Sequence, residues 1–429
     1  MAKNQLHILM RRKEDYYGMG DTQTIPQKAV LLWLSGLRLS DARSIPAVDE
    51  LMTRGVTVEF DPQPITGPQA QFFQSMSGQS PASFGFFDTL VARNYVVSED
   101  DKGRGPTPTL LPDLLRTVGW TVSYEEAEPS TLVALLQEAT RSLSAVPGCL
   151  LMKCALYQQT AESDAAVGEA LRAAREWVGD EGLVALFSDT QAATVERFVN
   201  LNNFLADMGI IERDEQSGQI NWEASLAYFA GNGQLLVNLM GRDPQGSVHP
   251  QEEYEEVRDT LVKALPNKVR DPETGDAVIE RIYRKEELYA GDYLFCAPDL
   301  VVVFNPGYVP SPRSTRVGFD DAIFTAPASG ETALAGINPT QAGGFLVAAA
   351  PTLGERVTEY ERAPLTAALP TLLHALGIEY VDMESSAIST LFTYEYLESH
   401  PIRSHTRNQE LSAEDEELII SHLRDLGYV

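Results

Sequence analysis

Five short apolar runs, each bounded by turn residues and followed by helical patterning, constrain this chain more than any other feature. They are 29–34 (AVLLWL), 150–154 (LLMKC), 183–187 (LVALF), 300–304 (LVVVF) and 345–349 (FLVAA). Runs of this length with no polar alternation are strands buried on both faces. Alternating with helices, such strands predict a mostly parallel sheet covered on either side. Helices are predicted over 45–54, 107–118, 130–142, 161–178, 194–208, 252–265, 365–376 and 385–397. In such a sheet ligands gather beyond the carboxyl ends of the strands, so the residues directly after each run matter most.

The stretch 218–292 breaks this rhythm, with shorter strands at 226–229 and 235–239, a helix, and the turn-rich DPETGD segment at 271–276. It reads as an elaboration, or cap, set into the sheet domain. The chain thus divides into 1–217 (first part of the core), 218–292 (cap) and 293–429 (remainder of the core). Ser412 and Asp415 form a capping box that opens a C-terminal amphipathic helix.

Composition excludes several classes. A net charge of −28 argues against nucleic acid, which needs a basic surface to displace counterions, and against anionic lipid. Solvation of a large acidic surface is the simpler reading of that charge than a cationic partner. No apolar run approaches the roughly 18 residues of a membrane span. The opening residues lack the apolar core of a signal peptide, so a cytoplasmic location is expected. Cys149, Cys154 and Cys296 form no CxxC pair and read as buried thiols. No GxGxxG after a strand, no P-loop and no G-x-S-x-G elbow occurs.

Followed from the first strand end, ordered phrases accumulate. LSGLRLSDARSIPAVDELMTRG (34–55), PITGPQAQFFQSMSGQSPASFGFFD (64–88) and SDTQAATVERFVNLNNFLADMGII (188–211) come in turn. LLVNLMGRDPQGSV, YRKEELYAGDY, APDLVVVFNPGY, ALPTLLHALGI and LRDLGYV follow. Together they resemble the type I phosphodiesterase and nucleotide pyrophosphatase group of the alkaline phosphatase superfamily over nearly the whole chain. The resemblance implies a three-layer α/β/α fold with an embedded cap. It also implies phosphoryl transfer on two metal ions with a hydroxyl nucleophile.

The positions that would carry that chemistry are substituted. The first metal-binding Asp of the family falls on Ser35, and its Asp-His pair on Asp189 and Thr190. The middle Asp and His fall on Leu156 and Thr160, and the late His falls near Thr340. Thr66 is the natural nucleophile from PITGPQ, although counting back from Gly78 puts Pro68 there instead. Histidine use agrees: His7, His249, His374, His400, His405 and His422 are the six, and none follows a predicted core strand. His374 reads as a core histidine, and His400 with His405 as loop residues without a metal-ligand partner.

Asp189 is the residue singled out, as a phosphate- or metal-site carboxylate or as a helix cap. Thr66 has the same double identity, as a nucleophile or a turn residue. The leading reading is a degenerate phosphodiesterase with a binding, scaffolding or regulatory role and no cofactor. A second reading is an active hydrolase rebuilt on Asp41, Asp88 and Asp189 with zinc or manganese. A third is a metal-free receptor for a phosphorylated small molecule, with Arg38 and Arg43 supplying the positive charge.

Overall fold

The structure, a computed structural model, describes residues 24–62, 67–88, 90–99, 103–156, 159–190, 195–214, 216–311, 319, 322–327, 343–381 and 383–403. Thr66, Thr340, His7, His405, His422 and the helix opened by Ser412 and Asp415 lie outside these residues.

The strands that matter here are β1 (Lys28–Ser35), β2 (Val56–Phe60), β3 (Thr121–Ala127), β4 (Gly148–Ala155) and β5 (Leu183–Thr190). They continue with β6 (Ala227–Gly231), β7 (Gln234–Val237), β8 (Ile279–Arg284), β9 (Leu300–Phe304), β10 (Gly343–Ala349) and β11 (Val357–Ala363). Seven of them form one sheet in the order β11-β2-β10-β5-β1-β4-β3. All its pairings are parallel except those of β10, which runs antiparallel to both β2 and β5. The mostly parallel sheet expected from the apolar runs is therefore present.

The helices used below are α1 (Pro46–Arg54), α2 (Pro68–Ser77), α3 (Leu111–Thr117), α4 (Leu132–Ser142), α5 (Ala161–Val178), α6 (Leu201–Asp207), α7 (Glu252–Lys268) and α8 (Ala368–Ala375). Successive side chains of a strand point to opposite faces, so β1 feeds two cores. Ala29, Leu31 and Trp33 pack with Phe187 and residues of α2, α3 and α8 on one face. Val30, Leu32 and Leu34 pack with residues of α1, α4 and α5 on the other. These are the three layers of an α/β/α fold.

β10 enters this sheet between two strands already in place, and two glycines make room for it. A Cβ on Gly343 would sit 1.7 Å from the Phe60 carbonyl oxygen, and one on Gly344 would sit 2.1 Å from that of Ser188. Any side chain there would push β10 out of the sheet.

A second core lies around a four-stranded antiparallel sheet, β6-β7-β9-β8, with Tyr254, Leu261 and Leu265 of α7 packed on it. This corrects the reading of 300–304 as a main-sheet strand: LVVVF is buried at all five positions, but inside the smaller sheet. Burial on both faces gives the same sequence signature in either sheet. The helix predicted over 194–208 is also revised. Val195–Val199 is a strand paired with Gly307–Pro310 and Phe324–Thr325, and only α6 beyond it is helical. Val195 and Phe198 bury themselves against Val309, which tertiary pairing makes more favourable than a turn of helix.

Candidate functional site

Three adjacent parallel strands, β5, β1 and β4, end together, and their alternation aims one set of side chains at one face. Trp33 pairs with Phe187 on one side and Lys153 on the other. Two residues further along, Ser35 comes abreast of Asp189, and the Gly36 N–H donates to the Thr190 carbonyl at 2.9 Å. Ser188, fully buried, ties the strand ends together by donating its hydroxyl to Leu37 O (3.1 Å) and Thr190 O (2.6 Å).

Asp189 is 2% exposed, and its Oδ1 has no hydrogen-bond partner. Burial pushes its carboxyl above the ordinary range, opposed by the Ser35 hydroxyl, the Trp33 indole and, more distantly, Lys153. The indole faces the carboxylate, yet Trp33 Nε1 closes no hydrogen bond either. A buried acceptor and a buried donor thus stand unsatisfied at the same strand ends. From above, Gln71 of α2 donates its side-chain amide to the Asp189 carbonyl.

Lys153 was not anticipated from the sequence. Its ammonium lies 4.3 Å from the Phe72 ring centroid and donates to Glu126 Oε1 at 3.1 Å. The sequence shows only a lone charge in the run LLMKC; the strand order sets it level with Trp33, on the face that also carries Ser35 and Asp189. A cation seated among aromatic and carboxylate groups at a strand end is a resident positive charge.

The other expected residues are distributed differently. Leu156 is buried, and its N–H donates to the Ser35 carbonyl at 2.7 Å. Thr160 is the N-cap of α5, in a reciprocal capping box with Ser163. The capping role considered for Asp189 is not seen: it lies within β5, and the next described element is the strand Val195–Val199. Arg38 is exposed and paired with Asp41, and Arg43 is exposed. Asp88 is buried and held by Asn232 and Gln234 of the smaller sheet's hairpin. His374 is a core histidine, edge-on to Phe392 and Tyr396. With Tyr396, His400 and neighbours it lines a separate hollow of about 40 Å³ that includes none of the strand-end residues. Cys149 and Cys154 are buried thiols, pushed up to about 12 by desolvation.

The family resemblance read from the sequence implies two metal ions at these strand ends, and among the described residues the donors do not fit them. Among the described residues no group of three or more His, Cys, Asp or Glu is placed to hold an ion. The hydroxyl of Ser35 is a poor ligand for a hard or borderline dication, and Lys153 already brings positive charge to the same face.

Sheet order and helical layers define an alkaline-phosphatase-like fold of the nucleotide pyrophosphatase/phosphodiesterase type. Among solved structures, the chain is similar to murine ectonucleotide pyrophosphatase/phosphodiesterase 5 in an inactive form in complex with AMP. That match has 13% identity and a TM-score of 0.53, and it covers 86% of this chain and 100% of that one. A second murine structure of that protein matches at 12% identity and TM-score 0.51, over 84% and 98% of the two chains. The human protein matches at 13% and 0.50, over 88% and 100%. Identities this low carry the fold alone. No protein-family model and no curated protein sequence matches the chain. Among the described residues no helix is long and apolar enough to cross a membrane.

Proposed function

We propose that this chain is a degenerate phosphodiesterase that binds rather than hydrolyses, with the fold kept and the two-metal site given up. One observation carries the reading: at the converging strand ends Asp189 faces a serine, an indole and a lysine in place of further carboxylates and imidazoles. Each metal would lack most of its protein ligands, and metal affinity falls steeply as ligands are removed. Asp41, Asp88 and Asp189, the acids of a rebuilt hydrolase, form no metal-holding group among the described residues. Elemental analysis of protein purified without chelators should find well under one transition metal per chain. Hydrolysis of nitrophenyl phosphodiesters should stay at background with added Zn²⁺ or Mn²⁺, and Asp189→Ala should leave it there. Two bound equivalents with an Asp189-dependent rate would establish the rebuilt enzyme instead.

Lys153 favours one kind of binding role, that of a metal-free receptor for a phosphorylated small molecule. An ammonium beside an aromatic ring provides the positive charge that metals supply elsewhere in this fold. Because the murine protein is seen with AMP, AMP is the probe of choice. Calorimetric titration should give binding that Lys153→Met weakens about tenfold or more, the loss of a charge-assisted bond. Binding unchanged in that variant would remove Lys153 from the role.

A further inference from the structure

Asp88 joins two parts of the molecule that have separate cores. It is 3% exposed, in the segment leaving the last turn after α2. Its Oδ2 accepts a hydrogen bond from Asn232 Nδ2 and another from Gln234 Nε2, each at 2.9 Å. Both donors belong to the β6–β7 hairpin, whose tip is a run of left-handed residues: Gly231 (φ 103°), Asn232 (φ 46°) and Gly233 (φ 80°). Such a tip is set by backbone geometry, so the two amides are delivered to a defined point. The neighbouring Phe87 packs edge-on against Tyr289, with ring centroids 4.9 Å apart.

The other oxygen of Asp88 lies on the main core. A Cβ on Gly67 would sit 2.4 Å from Asp88 Oδ1 and 2.7 Å from its Cγ, so the carboxylate rests directly on the backbone of the α2 N-cap. Gly67 then receives the first bond of the helix, Gln71 N–H to Gly67 O at 3.2 Å. The side chain of Gln71 in turn donates to the Asp189 carbonyl. A continuous line of contacts runs from hairpin to Asp88, Gly67, Gln71 and the strand end at Asp189.

We propose that Asp88 is a positioning residue that couples the seating of the β6–β7 hairpin to the first turn of α2, and through Gln71 to the candidate site. The hairpin's amides hold the carboxylate, and the carboxylate limits where Gly67 can be. If the amides let go, the carboxylate loses two of the bonds that fix it, and the contact that locates Gly67 loosens. Coupling of this kind acts equally in both directions.

Hydrogen exchange read by mass spectrometry on the full chain tests this. In Asn232→Ala, amides at 71–75 in α2 should exchange about tenfold faster, the size expected from losing a buried bond to a carboxylate. A role confined to the hairpin would speed exchange at 227–237 and leave α2 unchanged. In the reverse direction, Gly67→Ala, whose methyl collides with Asp88, should speed exchange at 231–237. Acceleration in only one direction, or in neither, overturns the coupling. Should Gly67→Ala not fold, the Asn232→Ala result alone decides.

Discussion

Two buried aspartates show how differently one side chain is treated in the two cores. Asp299 is fully buried and accepts from the two terminal guanidinium nitrogens of Arg242 (2.9 and 2.8 Å), from Tyr254 Oη (2.8 Å) and from the Val237 N–H (2.8 Å). Burial alone would raise its carboxyl, but Arg242 and Lys285 hold it far below the usual range. Its ionised form is therefore favoured by folding. On acidification the unfolded chain takes up the proton first, near pH 4. The stability Asp299 gives at neutral pH should decline as pH falls from there toward the lower folded-state value. Asp299→Asn removes one of the two carboxylates that Arg242 pairs with, leaving Asp243, and should cost about 1–3 kcal/mol in urea unfolding at pH 7. Asp189 is the opposite case: its Oδ1 has no hydrogen-bond partner and, among the described residues, Lys153 acts on it without forming an ion pair. Asp189→Asn should raise the melting temperature at neutral pH, by about 1 kcal/mol of stability, because a charge that burial opposes is removed. A lower melting temperature would mean that the charge is matched in the fold. The sequence pointed to Ser35 through the family resemblance and to Asp189 also through its strand end, and the strand order sets the two abreast. Strand-end reasoning missed Lys153, because only strand order tells which face of which neighbour a lone lysine in an apolar run will meet.

At the level of single elements, the sequence spoke most clearly where local rules and tertiary packing agree. The helix predicted over 161–178 begins and ends at those residues, because Thr160 and Ser163 satisfy each other's backbone donors at its start and Gly179 follows its end. Thr160→Ala should cost about 1 kcal/mol in chemical denaturation without altering the strand ends, since the side chain acts on backbone amides of α5. No loss would mean that water caps the helix as well. Where local and tertiary signals differ, the reading failed. VERFV at 195–199 has residues compatible with helix, and its strand state depends on partners more than 100 residues away. For LVVVF at 300–304 the element type was legible, but the sheet it joins was not. An apolar run records that both faces are covered and carries no record of what covers them.

For the molecule as a whole, sheet order is what hydropathy does not encode. β10 and β11 come from 343–363, yet they take places beside β2 and β5, made from 56–60 and 183–190. During synthesis, β5 and β2 leave the ribosome far ahead of the strand that separates them. Until residue 349 has emerged, each holds a row of unpaired backbone groups, with β5 apolar on both faces and β2 on one, of the kind that adds to other chains. The last third of the chain thus supplies the strands that complete the sheet begun by the first. A version stopped after Ser311 should collect in the insoluble fraction when expressed, and supplying 343–403 as a separate polypeptide in the same cells should return part of it to solution. Soluble, monomeric accumulation of the shortened chain alone would show that β2 and β5 can close on each other. On the expected outcome, any translation arrest or premature stop in the final third produces an aggregating species rather than a merely inactive one.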